Sequence, residues 1–247
     1  MKKILLFMML VASSASAEIY TSSAHKVSLL ELYTSEGCNS CPPAENWLSR
    51  VYRQGYRDGA VVPLAFHVTY WDYLGWKDKF SSKAYDQRQR KMVSQQGGRT
   101  VYTPQFFLNA RTVRSVSTLK SSLDRLSMQR AAVKIWSDVA SSPYDVVVEV
   151  RLERVDKHID DILHVIVVPY ENNIASSIKA GENEGRDTTH QYVARDMQSS
   201  LMSLKGSKKR QFYLKKKLKQ QWDGVVVMVE NNNRVVQVLN IPLKEPQ

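Results

Sequence analysis

Cysteine is scarce in this sequence: its 247 residues include two. A closed structural zinc site would therefore have to recruit histidines or carboxylates from distant parts of the chain. Long apolar runs are lacking as well. The run near the N-terminus, Ile4 to Ala12, falls well short of the ~20 residues a membrane-spanning helix needs, and no later segment qualifies, so no transmembrane anchor is expected. Acidic residues are in deficit, 24 against 35 lysines and arginines, and the formal charge of +11 suits anionic surfaces or acidic partners. Zinc-finger and helix-turn-helix patterns are missing, so nucleic acid is not expected among those partners. Tandem repeats and low-complexity tracts are missing too.

The two cysteines that are present lie together, in Gly37-Cys38-Asn39-Ser40-Cys41-Pro42-Pro43. An apolar run, Val27 to Tyr33, leads in, and a helix-like segment, Ala44 to Tyr52, leads out, which gives the order strand, turn, dithiol, helix. The first-turn N–H groups of a helix are unpaired and partly positive, so this order favours a thiolate at Cys38. Pro42 and Pro43 fit a helix opening, where a missing N–H costs nothing and a fixed φ helps. Cys38 is expected just outside the helix and exposed, with Cys41 one turn in. A purely stabilising disulfide is the competing reading, but a bridge across so short a loop contributes only about 2 kcal/mol, against roughly 3 to 5 for loops of 15 to 100 residues.

Lys2 and Lys3, the apolar core after them and Ala15-Ser16-Ala17 read as a secretory leader over residues 1–17. The expected location is periplasmic or secreted, in an oxidising compartment where disulfides persist. Beyond the leader, the length suits one ordinary domain with a smaller appendage.

Along the chain, Ala60 to Val68 reads as a buried strand, parallel to the first by default. Thr69 to Phe80 is crowded with aromatics, Trp71, Tyr73 and Trp76 among them. Ser81 or Ser82 is placed to cap a polar helix ending at Gly97-Gly98. Pro104 then opens an apolar strand, Asn109 to Thr112 forms a hairpin turn, and another helix runs through Leu119, Leu123 and Leu126. From about Tyr144 the chain reads as successive strands, the last two joined at Asn231-Asn232-Asn233, with Ser141-Ser142-Pro143 as the boundary.

This order of elements, with C-x-x-C at the first helix, resembles the thioredoxin fold. The resemblance implies that Pro104 is a cis-proline facing the dithiol, with Thr103 offering backbone groups to a substrate strand. The blocks Glu31 to Ala44, Phe66 to Trp76, Tyr102 to Gln105, Gly181 to Arg186 and Ile241 to Leu243 further resemble a secreted thioredoxin-like family, domain of unknown function 1223. The expected fold class is α/β: a thioredoxin-like domain at 18–140, followed by a smaller, mostly antiparallel β module at 141–247.

The expected function is that of a thiol:disulfide oxidoreductase in which Cys38 attacks and Cys41 resolves the mixed disulfide, acting on a protein thiol or disulfide with an unknown redox partner. Neither metal nor organic cofactor is needed. Glu31 either moves protons beneath the dithiol or faces outward, and Glu36, as an exposed anion near the thiol, raises the cysteine pKa and only tunes it. His67 is a proton carrier, a metal ligand or a structural histidine. Trp71, Tyr73 and Trp76 either grip substrate beside the dithiol or fill core. Gly181 to Arg186 either folds over the redox site or is a solvated loop. The basic residues from Lys205 to Lys219 are either a solvated helix face or an attachment for anionic partners. Competing functions are a copper-binding or metallochaperone module built on Cys38, Cys41 and His67, and a non-catalytic interaction protein.

Overall fold

A computed structural model describes residues 18–51, 59–206, 208–217 and 220–243. The expected leader at 1–17, Tyr52 at the end of the expected first helix and Lys219 lie outside the described residues. The chain opens with β1 (Glu18–Thr21), β2 (Ser28–Thr34), α1 (Pro42–Ser49), β3 (Val61–His67) and α2 (Lys83–Gln95). The hairpin β4 (Gln105–Leu108) and β5 (Arg111–Thr112) follows, then α3 (Leu119–Ser127), β6 (Val133–Ser141) and β7 (Asp145–Arg154). Next come β8 (Ile162–Glu171), β9 (Ile174–Ser177), β10 (Asp187–His190), β11 (Val193–Ala194) and β12 (Gln198–Ser203). The last strands are β13 (Lys209–Lys215), β14 (Gly224–Asn231) and β15 (Arg234–Pro242). No helix among the described residues is long and apolar enough to cross a membrane.

The protein has a mixed, sheet-rich α/β fold with few helices. One sheet runs β15-β14-β8-β11-β3-β2-β4-β5, with β12 added beside β8; a second runs β1-β6-β7-β13. Strand β2 lies between parallel β3 and antiparallel β4 and is buried throughout. Its alternation divides the core: Leu29 and Tyr33 pack with α2's Tyr85 and Met92, whereas Leu30 and Leu32 pack with Leu48 of α1 and Leu123 of α3. The sheet curls so that β15 approaches β2: the amide of Val27, just before β2, donates to Gln237 Oε1 of β15 at 2.9 Å. Strand β14 reads Val225 to Val229 without a polar break because both its faces are buried. Val226 and Met228 enter the curl, while Val225, Val227 and Val229 meet Val148 and Val150 of the second sheet.

This pairing departs from an N-terminal domain with an appended module. Strands β8, β11 and β14, all beyond residue 140, extend the sheet of β2 and β3, while β1 at the start of the chain pairs with β6 in the second sheet. The physical reason is edge pairing: β3 would otherwise expose an unpaired edge, and β11 covers it through Val193 and Ala65. The basic segment also differs from expectation. Lys209 to Lys215 is an edge strand, not a helix face, with its lysines exposed and Phe212 and Leu214 buried. Lysines on an edge discourage pairing with other chains.

Gly224 begins β14 directly beneath Tyr170 of β8, where an added Cβ would lie 2.5 Å from the phenol oxygen. Gly224→Ala is therefore expected to displace the ring and cost about 1–3 kcal/mol, read from a urea melt; an unchanged midpoint would show that the ring moves freely.

Candidate functional site

The cysteine loop leaves the C-terminal end of β2 and enters α1. Cys38 N–H donates to the Ser35 carbonyl (3.1 Å) and Cys41 N–H to the Cys38 carbonyl (3.2 Å), folding the loop into successive tight turns. Cys38 and Cys41 are disulfide-bonded, with Cα atoms 5.4 Å apart. Pro42 and Pro43 occupy the first helical positions, and Cys41 is the N-cap. The prolines have no N–H, and the amides of Ala44 and Glu45 both bond the Cys41 carbonyl. The positive end of α1 thus acts through its aligned peptide dipoles, not through free first-turn amides.

Cys38 is not exposed. Both cysteines are fully buried, and only Asn39 and Ser40 at the loop tip reach solvent. The cover is the segment 181–186. Asn183, itself buried, donates through Nδ2 to the carbonyls of Glu36 (2.8 Å) and Cys38 (2.9 Å), and Glu182 Oε2 accepts from the Asn39 amide (3.2 Å). This segment is the tip of an arm formed by the antiparallel pair β9 and β10. The loop's glycines allow the fold: Gly181, at φ +80°, lies against Trp76.

The Thr103–Pro104 peptide is cis. The β2–β4 register ends at Tyr33 opposite Gln105, and one further step brings Pro104 abreast of Thr34, where the cysteine loop begins. Trp71 joins the two loops, since its Nε1 donates to Thr103 Oγ1 (2.7 Å) and its Cβ lies close to Gly37. Buried Gln89 of α2 secures the proline loop through the Tyr102 carbonyl (2.9 Å) and Gln105 Oε1 (2.7 Å). Of the other aromatics, Trp76 bonds Glu36 through Nε1 (2.7 Å), whereas Tyr73 projects into solvent.

Glu31 does not lie under the dithiol. It shares a face of β2 with Leu29 and Tyr33, away from α1, and its two carboxylate oxygens accept from Arg88 of α2 at 2.8 and 2.9 Å. Arg88 also binds Glu230 of β14 at 2.9 Å, so Glu31 belongs to a buried ion cluster in the curl of the sheet.

Besides Glu182, the carboxylates that approach the cysteine loop are Glu36, Glu45 and Asp78, arranged around His67 and His190. His67 Nδ1 bonds Asp78 Oδ2 (2.6 Å), and Asp78 also accepts from the Glu36 amide (2.9 Å). His190 on the arm bonds Glu45 Oε2 through Nδ1 (2.8 Å) and Glu36 Oε1 through Nε2 (3.2 Å). Thr34 donates to Glu45 Oε1 at 2.5 Å. Burial alone would raise all three carboxyl pKa values, but His190 beside Glu36 and Glu45, and His67 beside Asp78, hold them below the ordinary range. Burial would depress His190, yet Glu36 and Glu45 outweigh it and lift its pKa to about 9.

Of this group, sequence reading reached His67 and Glu36 and missed Glu45, Asp78 and His190. Glu45 could have been found, because helical spacing places it one turn beyond Cys41. His190 is 145 residues from Glu45 and had no local signal.

These shifts carry a pH dependence. Because His190 holds its proton more tightly when folded than at its ordinary 6.5, its stabilisation is complete below that value and is lost as pH rises through about 9. In chelator-containing buffer the wild type is expected to lose stability on the order of 1–3 kcal/mol across that window, while His190→Gln stays flat. Parallel melting profiles for the two proteins would contradict the assignment.

A cavity of about 560 Å³ lies elsewhere, lined by Lys26, Arg111, Arg114, Arg125 and Arg234 among others. It contains no thiol, histidine or carboxylate, and so offers none of the chemistry of the cysteine loop.

The sequence matches no functionally curated protein. Solved structures with the same fold include two proteins of low identity. Protein AGR_C_4864 from Agrobacterium tumefaciens is 24% identical with a TM-score of 0.65, over 92% of this chain and 98% of that one. HBP35 of Porphyromonas gingivalis is 14% identical with a TM-score of 0.69, over 92% of this chain and 78% of that one. Identities this low speak for the fold alone. Residues 29–230, which hold the cysteine loop, the cis-proline and the whole arm, match the family described as Protein of unknown function (DUF1223), and the chain belongs to that family.

Proposed function

We propose that this chain is a thioredoxin-like thiol:disulfide oxidoreductase of an oxidising, extracytoplasmic compartment such as the periplasm. The observation that carries the reading is the Cys38–Cys41 disulfide at the N-terminus of α1 beside the cis Thr103–Pro104 peptide. A substrate thiolate attacks one sulfur of the pair, forming a mixed disulfide and releasing the other cysteine as a thiolate. A second substrate thiolate then breaks the mixed disulfide. The substrate leaves oxidised by two electrons, and the chain is left as a dithiol that a partner disulfide must reoxidise. Run in reverse, the same steps reduce a substrate disulfide.

Because Asn183 covers the loop, productive contact with a protein substrate requires the 181–186 segment to move aside. The neighbouring Trp71 and Trp76 provide a readout, since the redox change occurs next to both. Equilibrating the mature chain against glutathione buffers is expected to give a reversible two-electron fluorescence transition. The oxidised form is expected to accelerate disulfide formation in a reduced test protein, or the reduced form to accelerate insulin reduction. No acceleration in either direction would overturn the reading.

A further inference from the structure

We propose that Glu45, His67 and His190 form a binding site for a single divalent transition-metal ion, with zinc the best-matched cation, held beneath the cysteine loop and independent of its sulfurs. One ligand atom from each residue lies within 4.8 Å of the others. The donor set, two imidazole nitrogens and one carboxylate oxygen, is one that zinc uses in sites that keep a further position open.

The orientation of His67 is the second, independent observation. Its Nδ1 is engaged by Asp78, whose carboxylate also accepts the Glu36 amide, so Nδ1 is the protonated nitrogen. The remaining lone pair, on Nε2, is fully buried and has no hydrogen-bond partner. A buried polar atom left unmatched is costly, and a metal ion would satisfy it. A carboxylate on the far ring nitrogen is also the outer-shell arrangement that orients metal-ligating histidines. His190 repeats it: Nε2 is held by Glu36 and Thr188, and Nδ1 faces Glu45. His190 Nδ1 and Glu45 Oε2 lie 2.8 Å apart, close enough for one ion to bind both.

Charge favours the same occupant. Three carboxylates, Glu36, Glu45 and Asp78, surround two imidazoles, and among the described residues no lysine or arginine forms a salt bridge to any of the three. Even with His190 protonated, the buried group remains net negative. Cys38 and Cys41 are bonded to each other, so the site offers no thiolate of the kind a soft copper ion selects. Sequence reading placed His67 as a metal ligand only beside Cys38 and Cys41; its association with Glu45 and His190 was hidden because the three come from α1, β3 and β10.

The test is zinc titration of the EDTA-stripped mature chain, disulfide intact, at pH 8 by calorimetry. One equivalent is expected to bind. His67→Gln and His190→Gln, checked for folding by circular dichroism, are expected to abolish binding, and Asp78→Asn to weaken it about 10- to 100-fold. The Cys38→Ser/Cys41→Ser double variant is expected to bind zinc as the wild type does, and X-ray absorption to show nitrogen and oxygen neighbours without sulfur. Failure of the wild type to bind zinc would overturn the site without any variant. So would undiminished binding by folded His67→Gln, or loss of binding in the double cysteine variant. None of these readouts depends on thiol exchange, so the metal site and the redox reading fail separately.

Discussion

Arg88→Ala is expected to cost about 3–5 kcal/mol of folding free energy, enough to leave much of the population unfolded at 37 °C. Arg88 places its guanidinium between two buried carboxylates, Glu31 on β2 and Glu230 on β14, and is itself 7% exposed. Tyr33 donates to the same Glu31 oxygen, and His164 lies against Glu230. Burial would raise the Glu230 carboxyl, but Arg88 outweighs it and holds the pKa down to about 2. Without the guanidinium, both acids are stranded in a low-dielectric interior, where the charged form is strongly disfavoured.

The sign of the pH dependence separates this account from a simple packing loss. In the wild type, Glu230 contributes stability above its ordinary value of 4.5 that is lost as pH falls through about 2. Glu230, deprived of Arg88, prefers to be protonated in Arg88→Ala, so acidification should narrow the stability gap between the variant and the wild type, beyond the gain that His190 gives both. Urea melts of both proteins between pH 5 and pH 8 decide it. A cost below about 1 kcal/mol, or parallel pH profiles, would mean that water or a rearranged side chain compensates the acids.

That cluster also shows where sequence reading stops. The turns, caps and hairpins were legible because their chemistry is local. Pro42-Pro43 opens α1, Ser82 caps α2 through the Ala84 amide, and Asn232-Asn233 turns β14 into β15 at positive φ. The strand from Ala60 and the proline before β4 were legible for the same reason. Glu31 was not, because its partner Arg88 is 57 residues away and the strand's alternation does not say which face holds a cation. The C-terminal strands were recognised as strands, but period-two patterning does not name a partner, so their entry into the sheet of β2 and β3 was hidden. The burial of Cys38 was not read, although Gly181 to Arg186 was one segment named as able to fold over the redox site; no local pattern shows that Asn183 reaches the Cys38 carbonyl across 145 residues.

Cys38→Ser and Cys41→Ser are expected to abolish turnover in thiol–disulfide exchange, and they fail in different ways that assign the roles of the two sulfurs. A serine hydroxyl neither ionises near neutral pH nor forms a disulfide, so either replacement breaks the two-electron cycle. If Cys38 is the attacking sulfur, the reduced Cys41→Ser variant retains the nucleophile but lacks the group that resolves the mixed disulfide. It should then accumulate as a covalent adduct with a disulfide substrate, visible on a non-reducing gel, while Cys38→Ser gives none. The opposite gel pattern would make Cys41 the nucleophile, and adducts with neither would remove the dithiol from the reaction. Access adds a second, graded effect. Asn183 Nδ2 binds the Cys38 carbonyl and, with Glu182, holds the arm over the loop. Asn183→Ala should leave the reduction potential near the wild-type value but speed reduction by a small thiol, because it loosens the cover without altering the sulfurs. A changed potential with an unchanged rate would mean instead that Asn183 acts on the relative stability of dithiol and disulfide, and the arm would then be a tuning element of the redox couple, not its gate.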